Sequence, residues 1–146
     1  MTDEAFRKTF FARWADMDYN AHMKNTAYLD YSGDVRMLYF QEHGFGMSEF
    51  GKRGFGPVIF QDELRYFKEI QLLENFSVTL ALVSLSEDGM KFAFQNDFFR
   101  NDGKKSATVI SHGAWFDKTA RKVIPAPQEL IDLIKTLPAP IQEPKK

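Results

Sequence analysis

A chain of 146 residues with 44% hydrophobic and 27% charged side chains has the length and mixture of a one-domain globular protein, too short for two ordinary domains. A formal net charge of −1 excludes a global attraction to nucleic acid or anionic membrane. The absence of cysteine excludes disulfides, thiolate nucleophiles and cysteine-ligated metals. The charged opening Met-Thr-Asp-Glu-Ala-Phe-Arg-Lys leads into no long apolar run, so neither a signal peptide nor a membrane span is expected and the location expected is cytoplasmic.

Residues 9–15 read as a short strand that delivers the chain to a turn over residues 16–24. If the strand runs on through Asp16 and Asp18, both carboxylates point to one face. Asn25 is placed to cap a helix over residues 26–43, whose Tyr28, Tyr31, Val35 and Leu38 recur at spacings of three and four and form a buried face. Gly33, where glycine costs ~1 kcal/mol against alanine, marks a close approach in mid-helix. Gly44 supplies a left-handed stop. Residues 45–56 read as a glycine-punctuated surface loop carrying Lys52 and Arg53.

Four strands follow, over residues 57–68, 76–86, 91–100 and 104–117, and Asp88-Gly89 and Asn101-Asp102-Gly103 are tight-hairpin signals that make neighbours antiparallel. Period-two alternation is clear in Phe92, Phe94, Asn96 and Phe98, and Ala81, Val83 and Leu85 make the second face partly apolar. Pro125-Ala126-Pro127 introduces a short helix over residues 128–137, and the proline-rich residues 138–146 read as a flexible tail. One long helix and five strands predict an α+β domain spanning residues 1–146, with an antiparallel sheet curled over the helix. Open strand edges and the apolar second face predict self-association, and the resemblance described next makes the expected assembly a homodimer or homotetramer.

The segment from Arg13 to Arg36 is the most specific part of the chain. Asp16-Met17-Asp18, then His22-Met23-Lys24-Asn25, then Tyr28 and Arg36, resembles the Asp-x-Asp-x-x-x-His-x-x-Asn opening of hotdog-fold thioesterases of the 4-hydroxybenzoyl-CoA thioesterase type. The resemblance continues in pattern through Gly54-Phe-Gly-Pro-Val-Ile-Phe60 and the strands that follow. It implies a five-stranded antiparallel sheet wrapped around one long helix, with a short C-terminal helix. It further implies hydrolysis of an acyl-CoA or acyl-carrier-protein thioester without a cofactor, in dimers or dimers of dimers whose active sites lie at the subunit boundary. Carried over by position, Asp18 is the catalytic carboxylate and the backbone N–H of Met23, aided by Lys24, is the donor to the thioester carbonyl. Asp16, His22 and Asn25 are supporting residues, and Val58, Ile59, Phe60 and Lys91 contact substrate. Lys91 alone matches the basic cluster that aryl-CoA members carry in that turn, which leaves room for a carrier-protein thioester or for phosphate contacts from Lys52, Arg53, Arg100 or Lys104.

Read from the residues themselves, a carboxylate facing unpaired helix amides can attack and polarise a carbonyl, whereas the bland alternative makes Asp16 and Asp18 turn formers. Two neighbouring carboxylates raise each other's pKa, which favours a structural or orienting role for Asp16. His22 is suited to orient Asp18, to act as acid and base, or simply to pack. No metal is expected, because His22, Asp16 and Asp18 lack a fourth ligand. No Gly-x-Ser-x-Gly elbow or complete dinucleotide loop occurs. The alternative to a thioesterase is a non-catalytic hotdog domain that binds acyl groups or serves in assembly. A dehydratase fits less well, because it uses a different histidine motif.

Overall fold

The structure is a computed structural model that describes residues 6–140. In chain order it contains β1 (Phe6–Phe11), a 3-10 turn (Trp14–Asp16), α1 (Asn25–Glu42), α2 (Met47–Arg53), β2 (Phe55–Tyr66), β3 (Asn75–Leu85), β4 (Lys91–Arg100), β5 (Lys105–Asp117), β6 (Lys122–Ile124) and α3 (Gln128–Ile134). Every strand pairing is antiparallel. The order is β1-β3-β4-β5-β2, with β6 added to β5, so the expected α+β architecture holds and gains one short strand.

Alternation sends Phe92, Phe94, Asn96 and Phe98 of β4 and Phe76, Val78 and Leu80 of β3 to the helix side, where all seven are buried. They meet Tyr28, Tyr31, Val35, Tyr39 and Phe40 of α1. The Tyr28–Phe98 and Tyr31–Phe76 rings lie edge-on at 4.9 and 5.0 Å, a geometry worth about 0.5–1.5 kcal/mol per pair beyond burial. Leu38 is not part of this face. It is 37% exposed because it lies on the β1 side, lining an open groove with Phe10 and Met47 instead of meeting the sheet.

The glycine-punctuated stretch holds α2 where a loop was expected. Phe50 anchors it, 2% exposed and packed on Phe40, Phe55 and Trp115. Gly54 at φ +74° ends it in the left-handed conformation, and Arg53 ties it to Glu129 of α3 at 2.6 Å. The sheet's second face is also not the apolar surface expected. Val83 is exposed, and the buried centre is polar, where Asp97 accepts from Thr108 Oγ1 at 2.7 Å and Gln95 Nε2 at 3.1 Å.

Boundaries differ at three places. β1 ends at Phe11, before the aspartates. α1 begins at Asn25 with Lys24 in the cap position and no side-chain cap, so Asn25 is the first helical residue and not the cap. α3 ends at Ile134, but Leu137 is buried and the Pro138 carbonyl accepts from Leu82 N–H at 3.0 Å, so the chain is still pinned where the tail was expected to begin. The rest of that tail, residues 141–146, and the opening residues 1–5 lie outside the described residues. Among the described residues no helix is long and apolar enough to cross a membrane.

Trp115 joins α1, α2, β2 and β4, with Phe40, Phe50, Phe55 and Phe92 around a fully buried indole. Trp115→Ala is expected to lower the unfolding free energy by about 3–5 kcal/mol in a urea titration. A loss below about 1 kcal/mol would show that α2 and the sheet are held together elsewhere.

Candidate active site

The two aspartates that the sequence places two apart do not share a face. Asp16 closes the 3-10 turn and is buried at 4% exposure. Its Oδ2 accepts from Arg13 N–H at 2.9 Å and from the Tyr31 hydroxyl at 2.6 Å, and its Oδ1 from Arg13 Nη2 at 3.0 Å. Burial works to raise its pKa, but the Arg13 and Tyr31 hydrogen bonds prevail and hold it below the usual carboxylate range. Burial and donation to Asp16 push the Tyr31 hydroxyl up to about 12. Asp16 is therefore tied on both oxygens to Arg13 and Tyr31, as a structural anchor of the turn.

Met17 then bridges Met23, and the chain reverses through a tight turn. Asp18 N–H donates to His22 O at 2.8 Å, while Asp18 Oδ1 accepts from the backbone N–H groups of Asn20 at 2.8 Å and His22 at 3.1 Å. Ala21 takes φ +62° to close this turn. One carboxylate oxygen is thus fixed by two amides, and Oδ2 has no partner among the described residues. Asp18 lines a cavity of about 430 Å³ with His22, Asn25, Tyr28, Tyr66 and Lys68.

The structure places the other expected residues as follows. Met23 is buried and lines the cavity, but its N–H already donates to Ile70 O at 3.0 Å, so it is not the free donor expected. The N–H of Lys24 is likewise taken, by Asp16 O at 2.9 Å. Among the described residues, the first unpaired amides of α1 are those of Asn25 and Thr26, and of these Asn25 lines the cavity. The His22 ring meets Glu69 at 3.2 Å and leaves only its backbone to Asp18. Val58, Ile59 and Phe60 lie toward the other end of β2. Phe60 shares with Lys91, His112 and Ser86 a separate groove of about 230 Å³.

Sequence reasoning missed the far wall, Tyr66 to Glu69. No motif marks it, and it reaches the site because the Tyr28 ring stands edge-on to Tyr66 at 5.6 Å. The Tyr28 hydroxyl meets Ser106 Oγ at 2.9 Å, and Ser106 Oγ in turn donates to Lys68 O at 2.6 Å. Only the register between α1 and β2 reveals that wall.

Because the folded pKa of Asp16 lies below 3.8, its stabilisation is complete above that value and is lost as pH falls through the folded pKa. Asp16→Asn is expected to cost roughly 2–3 kcal/mol of stability near neutrality, with the gap to the parent chain closing in urea titrations below pH 3.8. A gap that stays constant down to acid pH would show that Asp16 is held as a neutral group.

The family model described as the thioesterase-like superfamily matches residues 12–134. No curated protein matches the chain in sequence. Several solved structures share the fold. A hypothetical protein from Staphylococcus aureus in complex with CoA is 19% identical over 99% of this chain and 92% of that one, with a TM-score of 0.86. A 1,4-dihydroxy-2-naphthoyl-CoA thioesterase from Synechocystis is 15% identical over 92% and 98%, with a TM-score of 0.81. A DHNA-CoA thioesterase from Staphylococcus aureus is 18% identical over 88% and 85%, with a TM-score of 0.78. With the helix wrapped in an antiparallel sheet and the family match spanning most of its length, this chain belongs to the thioesterase-like superfamily and has the hotdog fold.

Proposed function

We propose that the protein is an acyl-CoA thioesterase in which Asp18 is the catalytic carboxylate and the Asn25 amide the carbonyl donor. The observation that carries this reading is the pairing of an immobilised carboxylate, with one oxygen free, and an unpaired N–H at the start of an 18-residue helix, both lining one cavity. A thioester carbonyl accepting from that N–H gains negative charge where the donor is already in place, and the positive end of the helix dipole adds to it. With Asp18 as base, Oδ2 takes a proton from water as the water oxygen bonds to the carbonyl carbon. Collapse of the tetrahedral intermediate breaks the C–S bond, the thiolate leaves and takes the proton from Asp18, and the carboxylic acid formed loses its own proton to solvent, leaving a carboxylate and a free thiol. With Asp18 as nucleophile, Oδ2 itself bonds to that carbon, the C–S bond breaks and the thiolate leaves to be protonated by solvent, and water then hydrolyses the mixed anhydride to the free carboxylate and the regenerated Asp18 carboxylate. Neither course needs a cofactor. The CoA bound to the staphylococcal structure and the CoA thioesters named for the other two support CoA as the thiol half. A carrier-protein thioester presents the same carbonyl and is the other source. Lys24, Lys68 and Lys91 are the proposed phosphate contacts.

The same reading takes the protein as a homodimer, with homotetramers formed from it. β2 is a 12-residue edge strand with Phe60 and Tyr66 exposed, a surface that pairs unless it is covered. In antiparallel pairing of two β2 strands about Gln61, residue 66 of one copy faces residue 56 of the other. That register brings the partner's Pro57, Val58 and Ile59 to the Tyr66 wall of the cavity, where one copy alone leaves it open.

Free-thiol release from a panel of acyl-CoAs tests the reading. Asp18→Asn is expected to retain fold and binding and to lose 10²–10⁴-fold in kcat. Asn25→Pro removes the proposed donor at the first helical position, where proline is best tolerated, and is expected to lose about 10²–10³-fold. Met23→Pro should instead destabilise the fold, because it deletes the bond to Ile70. Tight acyl-CoA binding without thiol release would favour the non-catalytic acyl-binding alternative. ¹⁸O from solvent water appearing in Asp18 after turnover would distinguish nucleophile from base.

A further inference from the structure

Two tyrosines line the cavity, Tyr28 from the first turn of α1 and Tyr66 from the end of β2. Their rings stand edge-on at 5.6 Å, but their hydroxyls are used differently. Ser106 Oγ has one proton, and it goes to the Lys68 carbonyl at 2.6 Å. In the contact of 2.9 Å between the Tyr28 hydroxyl and Ser106 Oγ, the tyrosine is therefore the donor. Its proton is spent inside the fold. The Tyr66 hydroxyl has no partner among the described residues, so of the two phenols it is the one whose proton is left to the cavity.

The Tyr66 ring is held in place, although one side of it is open. Tyr66 closes β2 opposite Ala107 of β5, and the next two amides, of Phe67 and Lys68, both donate to the Ser106 carbonyl at 2.8 and 3.1 Å. Ser106 is fully buried. It fixes the strand end through its carbonyl and Tyr28 through its hydroxyl. Tyr28 follows Asn25 by three residues, about 4.5 Å along the helix axis, and a helical side chain leans back toward the N-terminus. The Tyr66 ring packed against it therefore stands beside the turn whose first amides are unpaired. Burial raises the Tyr66 hydroxyl above its usual value, which keeps its proton in place at neutral pH.

We infer that the Tyr66 hydroxyl is a second catalytic donor, meeting from the sheet side the thioester oxygen that the Asn25 amide meets from the helix, an inference that rests on the thioesterase reading above. As water or Asp18 bonds to the carbonyl carbon, the π pair of the C=O bond moves onto that oxygen, where two hydrogen bonds hold it instead of one. When the C–S bond breaks, the pair re-forms the carbonyl and Tyr66 still carries its proton. A neutral phenol does this without lowering the basicity of Asp18, as the Lys68 ammonium would in the same place. A ring on a paired strand also has less rotamer freedom to lose than a lysine chain. Tyr66 is 55% exposed, and pairing along β2 would shield its hydrogen bond from water and strengthen it.

Tyr66→Phe keeps the ring and removes the hydroxyl alone. It is expected to lower kcat about 10²-fold in free-thiol release, while the Kd of the same acyl-CoA, measured with Asp18→Asn present, stays nearly unchanged. The Kd of a trifluoromethyl ketone analogue, which hydrates to a tetrahedral carbon, should rise by the factor that kcat loses. Replacing Tyr66 by 3-fluorotyrosine, a more acidic phenol, should retain turnover and move its alkaline loss to lower pH. The other titratable groups on the cavity, Asp18, His22, Tyr28, Lys68 and Glu69, are untouched by that change. Should Tyr66→Phe fail to fold, the fluorotyrosine profile carries the comparison. An unchanged kcat in Tyr66→Phe, with the loss in Asp18→Asn intact, overturns the inference and keeps the thioesterase reading. A weaker substrate Kd with kcat unchanged would make Tyr66 a passive wall and overturn it too. A fall in kcat that accompanies dissociation of the oligomer, without the matching loss of ketone affinity, would make Tyr66 an interface residue. No thiol release by the parent chain from any acyl-CoA would sink the thioesterase reading and the inference with it.

Discussion

The geometry of the site depends on the buried hydrogen bond from the Tyr31 hydroxyl to Asp16, at 2.6 Å. The Tyr31 ring is packed between Phe10 and Phe76, at centroid distances of 4.9 and 5.0 Å, so the core fixes the hydroxyl and the hydroxyl fixes Asp16. Arg13 supplies the remaining donors and compensates the buried charge, without which a carboxylate at this depth would be destabilising. From Asp16 the constraint passes along the chain, through its carbonyl to Lys24 N–H and through the Met17–Met23 bridge. The reversal that presents Asp18 is therefore anchored at both ends to packed residues.

That arrangement explains why two aspartates of one motif have different environments. Asp16 spends its hydrogen-bonding capacity on the chain, with donors on both oxygens. Asp18 spends half, and the half left over faces the cavity. On the proposed reading the division is a working one. A carboxylate that must attack or abstract a proton needs a fixed orientation and a free lone pair together. The Asn20 and His22 amides supply the first without removing the second.

Much of the fold was legible because it rests on period and turn chemistry. Phe92 to Phe98 alternate, Asp88-Gly89 and Asn101-Asp102-Gly103 close hairpins, and Tyr28 to Val35 repeat at helical spacing. α2 was hidden because Gly51 and its flanking glycines read as a loop, and only the burial of Phe50 against Trp115 makes that segment helical, a tertiary override of weak propensity. In the site, the family motif located Asp18 and the helix start, but spacing could not show that the Met23 amide is consumed by Ile70, a partner nearly fifty residues away. The strand assumed to run through Asp16 and Asp18 failed for the same reason. A buried carboxylate with Arg13 and Tyr31 to bind outweighs continuation of a ladder.

The sheet leaves one of its two outer edges unfinished. β1 is the other outer strand and is short, while β2 is long, exposed and carries the helix-facing row Asp62, Leu64 and Tyr66. A core this aromatic could have been closed on that side by apolar residues from α1, as it is at Tyr31 and Phe76. Instead α1 presents Leu29 and Arg36 there, and the sheet answers with Ser111 and Asp62. Polar groups in a partly buried seam of this kind are seldom the most stabilising choice for a folded chain. Their cost is rational if the seam is completed by something outside the chain. Pairing along β2 would supply one wall of that seam and cover its polar groups.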